Sequence, residues 1–367
     1  MNYLNDLKKI VNINSYTGNK LGVDRVGLIF DKWFEELGFK VQTHERGHIG
    51  DHHHYLSTHT PNSKKLLLLG HLDTVFPPKK FEDYTDDDEW IYGPGVCDMK
   101  GGNIVALQAL RELKKQNIEI KNIDVLFVSD EETGSDDSKY LTSKLAQDYD
   151  YCFVYEAAGR DMEVVTGRKG VGTFFIDIEG KAAHAGNHYI DGCDANLEAS
   201  YKLQALVKLT NLQQGTTLNV GKIEGGIGAN TISPHAKLTF ELRYKEVSER
   251  ERVLDAVDKI VTNSFVEGTS SVLSGGIQRD VMQTSESSLE LIKAIEKITN
   301  TELKSEERGG VSDANIVSSC GVVTLDGFGP FGDGDHTVNE RASKESFRSR
   351  IELSIKLFTH FVEKSNF

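Results

Sequence analysis

The chain has 367 residues, and 56 Asp and Glu against 42 Lys and Arg give it a formal charge of −14. That acidic excess excludes nucleic acid or an anionic membrane as the main partner. With 38% hydrophobic and 27% charged residues, the composition is that of a globular protein long enough for about two domains, and disorder is excluded.

The first ten residues, Met1 to Ile10, contain no signal-peptide-like apolar region, and no later stretch is long enough to cross a bilayer, so a cytoplasmic protein is expected. Asp51-His52-His53-His54 is the one odd local composition, and it reads as a solvated turn that binds metals adventitiously. Residues 65–70, Lys-Leu-Leu-Leu-Leu-Gly, are a short apolar run closed by glycine, as expected of a strand buried on both faces. Similar runs follow at 123–129 and 151–155. Between the first two, Ala106, Ala109, Leu110 and Leu113 recur at the spacing of one helix face. The alternation predicts an α/β layer with a central mixed, largely parallel sheet flanked by helices.

From about residue 166 the pattern changes. Strands are predicted at 171–179, 217–223, 236–244 and 270–273, with helices through Leu203 to Thr210 and Val253 to Val261. This β-α-β-β-α-β order is that of a ferredoxin-like α+β unit. After about 277, residues 289–298 read as helix, 322–325 as strand and 342–362 as helix. The predicted organisation is therefore a catalytic domain, 1–165 and 277–367, interrupted by an inserted module, 166–276. The four cysteines, Cys97, Cys152, Cys193 and Cys320, contain no Cys-x-x-Cys pair, which argues against a disulfide framework or a zinc knuckle.

Ligands of open α/β sheets bind beyond the carboxyl ends of the strands. There the chain delivers His71 and Asp73, then Asp130-Glu131-Glu132, then Glu156, while a glycine-rich approach from Gly93 to Gly102 carries Asp98. Gly334-Asp335-His336-Thr337 follows near the end. Carboxylates gathered in one cleft repel and protonate unless a multivalent cation compensates them, so a dinuclear metal site is the economical explanation.

With these motifs the sequence resembles the zinc peptidases and deacylases typified by carboxypeptidase G, acetylornithine deacetylase and succinyl-diaminopimelate desuccinylase. The resemblance runs over nearly the whole chain: residues 70–75, 93–102, 130–135 and the Gly180-Lys-Ala-Ala-His-Ala-Gly186 segment match its motifs in order. It implies that Asp98 bridges two zinc ions, with cobalt or manganese as substitutes, that His71 and Glu156 complete one set of ligands, and that Glu132 and His336 complete the other. Mixed nitrogen and oxygen donors suit such ions.

The resemblance further implies hydrolysis of an amide bond in a small carboxylate-bearing substrate, carboxypeptidase G-like, by a hydroxide held between the two ions. Adjacent side chains on an extended segment diverge, so Glu131 is read as the general base beside the ligand Glu132. Asp73, two residues beyond His71, is read as the acceptor for the imidazole's second N–H. The resemblance also makes the 166–276 module a lid and dimerisation domain, and His184 is expected to stabilise the oxyanion, reaching a site from the other subunit of a homodimer formed through that domain. Asn230, Arg243 and Gly310 are candidate substrate contacts. For Arg243 the residues leave two readings open, a grip on a substrate carboxylate or a pairing with Glu241. The resemblance also implies a cis peptide at Asp98–Met99. An N-acyl-amino-acid deacylase or dipeptidase is the alternative within the family. A non-catalytic small-acid or partner-binding relative is the alternative outside it, weakened because every ligand and base position is filled.

Overall fold

A computed structural model describes residues 3–367. The chain forms two compact units. One takes in the chain up to Gly167 together with Thr284–Arg308 and Ser312–Phe367, and the other takes in Arg168–Gln283 with Gly309–Val311. The 309–311 segment, expected with the C-terminal part of the first unit, therefore belongs to the second.

The first unit is built on a six-stranded sheet. Its strands are β1 (Lys40–His44), β2 (His52–Leu56), β3 (Leu66–His71), β4 (Ile123–Val128), β5 (Tyr151–Val154) and a short strand at Val323–Leu325. The order is β1-β2-β4-β3-β5 followed by Val323–Leu325. The last four in that order run parallel to one another, β2 pairs antiparallel with β4 and β1 antiparallel with β2, so the sheet is mixed and largely parallel. Every residue of β3 and β4 is buried. That explains their continuous apolar runs, since helices cover a parallel sheet on both faces.

Helices α1 (Tyr3–Val11), α2 (Lys20–Leu37) and α3 (Lys100–Lys115) flank it. Gly102 lets α3 approach closely, because a Cβ there would stand 1.8 Å from the Tyr155 carbonyl oxygen at the end of β5.

Two expectations need correction here. Asp51–His54 is not a solvated turn: His52, His53 and His54 open β2 and are 0%, 2% and 3% exposed. Each ring is paired, His52 with Asp137, His53 with Asp31 and His54 with the Tyr149 hydroxyl, so burial is compatible with their polarity. The C-terminal helix begins at Lys344 and not at 342, because Ala342 lies on a short strand, Arg341–Ser343, and Ser343 caps the helix through its hydroxyl.

The second unit is an antiparallel sheet of β6 (Gly170–Glu179), β7 (Thr217–Gly225), β8 (His235–Tyr244) and β9 (Ser270–Arg279), in the order β7-β8-β6-β9. With α4 (Ala195–Val207) and α5 (Val247–Thr262) this is the ferredoxin-like β-α-β-β-α-β arrangement. β8 alternates buried and half-buried residues. Its Ala236, Leu238, Phe240 and Leu242 join Ala199 and Leu206 of α4 and Val253 and Val257 of α5 in one core.

Candidate metal centre

The carboxyl ends of three adjacent strands converge in the first unit. β3 ends on His71, which is 1% exposed. Glu156 lies just beyond β5, and Glu131 and Glu132 stand on a single 3-10 turn, Glu131–Thr133, separated from β4 by Ser129 and Asp130. That turn is not the extended segment expected, yet successive residues of a 3-10 turn are still about 120° apart, so the two side chains diverge. Asp98 enters from the glycine-rich turn before α3, and its peptide to Met99 is cis.

The two oxygens of Asp98 face opposite partners. Oδ1 lies 3.1 Å from His71 Nε2, which is itself 3.7 Å from Glu156 Oε1. Oδ2 lies 3.2 Å from His336 Nε2, which is 3.1 Å from Glu132 Oε2. One ligand atom each from His71, Asp98 and Glu132 falls within 4.8 Å of the others. Zinc bonds of about 2.0–2.1 Å would place ligand atoms about 3.3 Å apart around a tetrahedron. The four imidazole–carboxylate distances, 3.1 to 3.7 Å, lie near that spacing, and the nitrogen and oxygen donors suit such ions.

Electrostatics point the same way. Burial and the Asp98 charge push the Glu132 carboxyl up to about 8 and hold Glu156 well above the carboxylate range. Asp98 is driven down despite its burial by hydrogen bonds from His336 and His71. Hydrogen bonds to Asp98 and Glu132 raise His336 to about 11, and His71, against its own burial, is raised by Asp73 and Asp98. Without a cation these residues compensate one another only by taking up protons, which is the behaviour of a site shaped for positive charge.

Asp73 is fully buried. Its Oδ2 accepts the Thr17 hydroxyl at 2.6 Å and the Glu132 N–H at 3.2 Å, while Oδ1 lies 3.3 Å from His71 Nδ1. The Asp73 carbonyl is closer to that nitrogen, at 3.0 Å. Asn103 donates to the His71 carbonyl at 2.7 Å. Thr17, Asn103 and Glu340, which accepts the Asp98 N–H at 3.1 Å, were not visible in the sequence. None belongs to a motif, and each is brought in by the fold.

The remaining candidates lie in the second unit. Exposed His184 accepts the Gly186 and Asn187 N–H groups at its Nδ1, both at 3.2 Å. The ring proton of neutral His184 is thereby placed on Nε2. The Asn230 carbonyl accepts the Ala185 N–H at 2.9 Å, which ties the 225–234 loop to this turn. Arg243 does not present a free fork: its Nε and Nη2 donate to Glu241 at 2.7 and 3.2 Å, and Nη1 donates to the Gly309 carbonyl at 3.0 Å. The Gly310 carbonyl accepts from Arg168 at 3.0 Å.

No helix among the described residues is long and apolar enough to cross a membrane. The sequence profile of Peptidase family M20/M25/M40 matches residues 67–364. Carboxypeptidase G2 of Pseudomonas sp. (strain RS-16) is 27% identical over 340 residues, covering 90% of this chain and 82% of its own length. Succinyl-diaminopimelate desuccinylase of Coxiella burnetii is 24% identical over 359 residues, covering 92% and 93%. Among solved structures, a tripeptidase from Staphylococcus aureus superposes with a TM-score of 0.83 at 24% identity over 98% of each chain. A profile that spans four-fifths of the sequence makes the chain a member of Peptidase family M20/M25/M40, and so a hydrolase of peptide and amide bonds in a metal-dependent family.

Proposed function

We propose that the protein hydrolyses an amide bond in a small substrate bearing a free carboxylate, as a carboxypeptidase G-like enzyme with two zinc ions per subunit. The observation that carries this reading is the division of the Asp98 oxygens between two His–Glu pairs, His71 with Glu156 and His336 with Glu132.

Zinc bound there would supply Lewis-acid polarisation of the substrate carbonyl and lower the pKa of water to about 7. The chain's own groups do the rest. Glu131 takes the proton of the attacking water at its carboxylate and returns it to the nitrogen of the leaving amine. Asp73 keeps His71 oriented from behind, and Thr17 keeps Asp73 in place. His184, with its proton on Nε2, donates to the oxyanion of the tetrahedral intermediate. Asn230 and Gly310 are proposed substrate contacts. For Arg243 to grip a substrate carboxylate, that carboxylate must take the place of Glu241.

A deacylase is the second reading, favoured by the desuccinylase relative, which matches as much of the chain as carboxypeptidase G2 does. A dipeptidase stands beside it. A panel of C-terminal glutamyl peptides, N-acyl amino acids and dipeptides, assayed before and after chelation, separates the branches. Two zinc ions by elemental analysis with chelator-sensitive cleavage are expected. Glu131→Ala should keep its metal and lose turnover, and retained turnover would remove Glu131 from its role.

The protein is further proposed to be a homodimer through its second unit, with the site completed by His184 of the partner subunit. A monomer by light scattering that retains full activity would overturn that arrangement.

A further inference from the structure

The turn that delivers Asp98 is fastened to one residue. Glu340 Oε2 accepts the Gly95 N–H at 3.0 Å, and Oε1 accepts the N–H groups of Cys97 and Asp98 at 2.9 and 3.1 Å. The Glu340 backbone carbonyl takes the Gly93 N–H at 3.3 Å. Glu340 is 1% exposed, so no water is at hand to replace it at those donors. The turn has the shape for this: Gly93 and Gly95 have φ of 147° and 79°, and successive N–H groups of such a segment form a concavity for an anionic oxygen.

Glu340 stands 242 residues from Asp98 but follows His336 within one short loop. That loop is closed by Thr337 N–H to the Gly334 carbonyl at 2.9 Å and Glu340 N–H to the Thr337 carbonyl at 3.2 Å. His336 itself holds a left-handed φ of 60°, so its ring direction depends on this loop. The residue that shapes the Asp98 turn therefore belongs to the segment that carries His336, whose Nε2 meets Asp98 Oδ2.

We infer that Glu340 is a positioning residue that joins the Asp98 and His336 turns into one ligand-bearing piece, and so sets the zinc affinity of the cluster containing Asp98, Glu132 and His336. This rests on the two-zinc reading above. Glu340 touches neither ion nor substrate in this role.

The test is a titration of metal-free protein with zinc alone against a chromophoric chelator, for wild type, Glu340→Ala and Glu340→Gln, each first shown to be folded by circular dichroism. Ala removes both side-chain oxygens and with them all three hydrogen bonds. Gln keeps one oxygen for Cys97 and Asp98 and turns an amide toward the Gly95 N–H. The wild type should take two ions. In Glu340→Ala one of them should bind about 10–100-fold more weakly, the usual cost of losing an outer partner of a ligand, with Gln intermediate.

A residue that only stabilised the fold would lower the melting temperature and leave zinc affinity untouched. Folded variants with wild-type affinity for both ions overturn the proposal, whatever their melting temperature. Should Glu340→Ala not fold, Glu340→Gln decides alone, about tenfold weakening supporting the inference and unchanged affinity overturning it. A wild-type protein that takes up no zinc overturns the two-zinc reading itself and this inference with it.

Discussion

His54 should make the protein acid-sensitive through a single nitrogen. Tyr149 has one hydroxyl proton, and Asp124 Oδ2 at 2.7 Å takes it. The 2.9 Å contact of His54 Nε2 with the same hydroxyl must then be a donation from Nε2–H, which leaves the proton-accepting nitrogen, Nδ1, buried without a partner. Burial accordingly lowers the His54 pKa from 6.5 to about 4. Because the folded value is depressed, the unfolded chain binds the extra proton between those two pH values, and stability falls as pH drops through that window.

Integrated from pH 7 to pH 5, the loss is about 2 kcal/mol, out of a full value of about 3 kcal/mol. His54→Gln keeps an N–H for Tyr149 and has nothing to titrate. Denaturant unfolding of metal-free wild type and variant at pH 7 and pH 5 isolates the term, since groups away from His54 titrate alike in both. The wild type should lose about 2 kcal/mol more than the variant over that range. Parallel losses would refute the tautomer and the burial argument together.

Other consequences follow from the same geometry. Gly102→Ala would force a methyl against the Tyr155 carbonyl, 1.8 Å away, and should destabilise by about 1–3 kcal/mol in thermal unfolding. Thr17→Val removes the hydroxyl that donates to Asp73 and should cost about 2 kcal/mol in the same assay, with weaker zinc binding by chelator competition. Zinc uptake at pH 7 should release protons, because hydrogen bonds to Asp98 and Glu132 hold a proton on His336 in the metal-free protein. Calorimetry in buffers of different ionisation enthalpy measures that release, and buffer-independent heats would contradict it.

The sheet and its crossover helix were legible because buried parallel strands leave unbroken apolar runs, as at Leu66–Leu69, and helices leave stripes. The half-buried alternation of 236–244 was legible for the complementary reason. The His52–His54 strand was not, since three polar residues in a row carry no strand period. Their partners Asp31, Asp137 and Tyr149 lie 22, 85 and 95 residues away. Strand-end carboxylates and imidazoles drew attention to His71, Asp98, Glu132 and Glu156, which the fold does bring together. The side chains that hold those groups in place were invisible. Thr17 meets Asp73 across 56 residues and Glu340 meets Asp98 across 242, and separations of that size leave no local pattern. Arg243 illustrates the opposite case, where a partner only two residues away, Glu241, was foreseen as one of two readings and is the one occupied.

The seam at which the second unit joins the chain has a consequence for ancestry and engineering. Arg168 and Met282 exchange both backbone hydrogen bonds, at 2.8 and 3.0 Å, so the Arg168–Gln283 stretch of the unit begins and ends beside one rung. On the host side Thr284 donates its hydroxyl to Thr166 at 3.0 Å, so the host's two cut ends are also neighbours. Insertion at such a point closes almost no additional loop in the host. The Arg168–Gln283 stretch is thus a cassette: a lineage can exchange or enlarge it through a splice of a few residues while the sheet that positions His71, Glu132 and Glu156 is inherited intact.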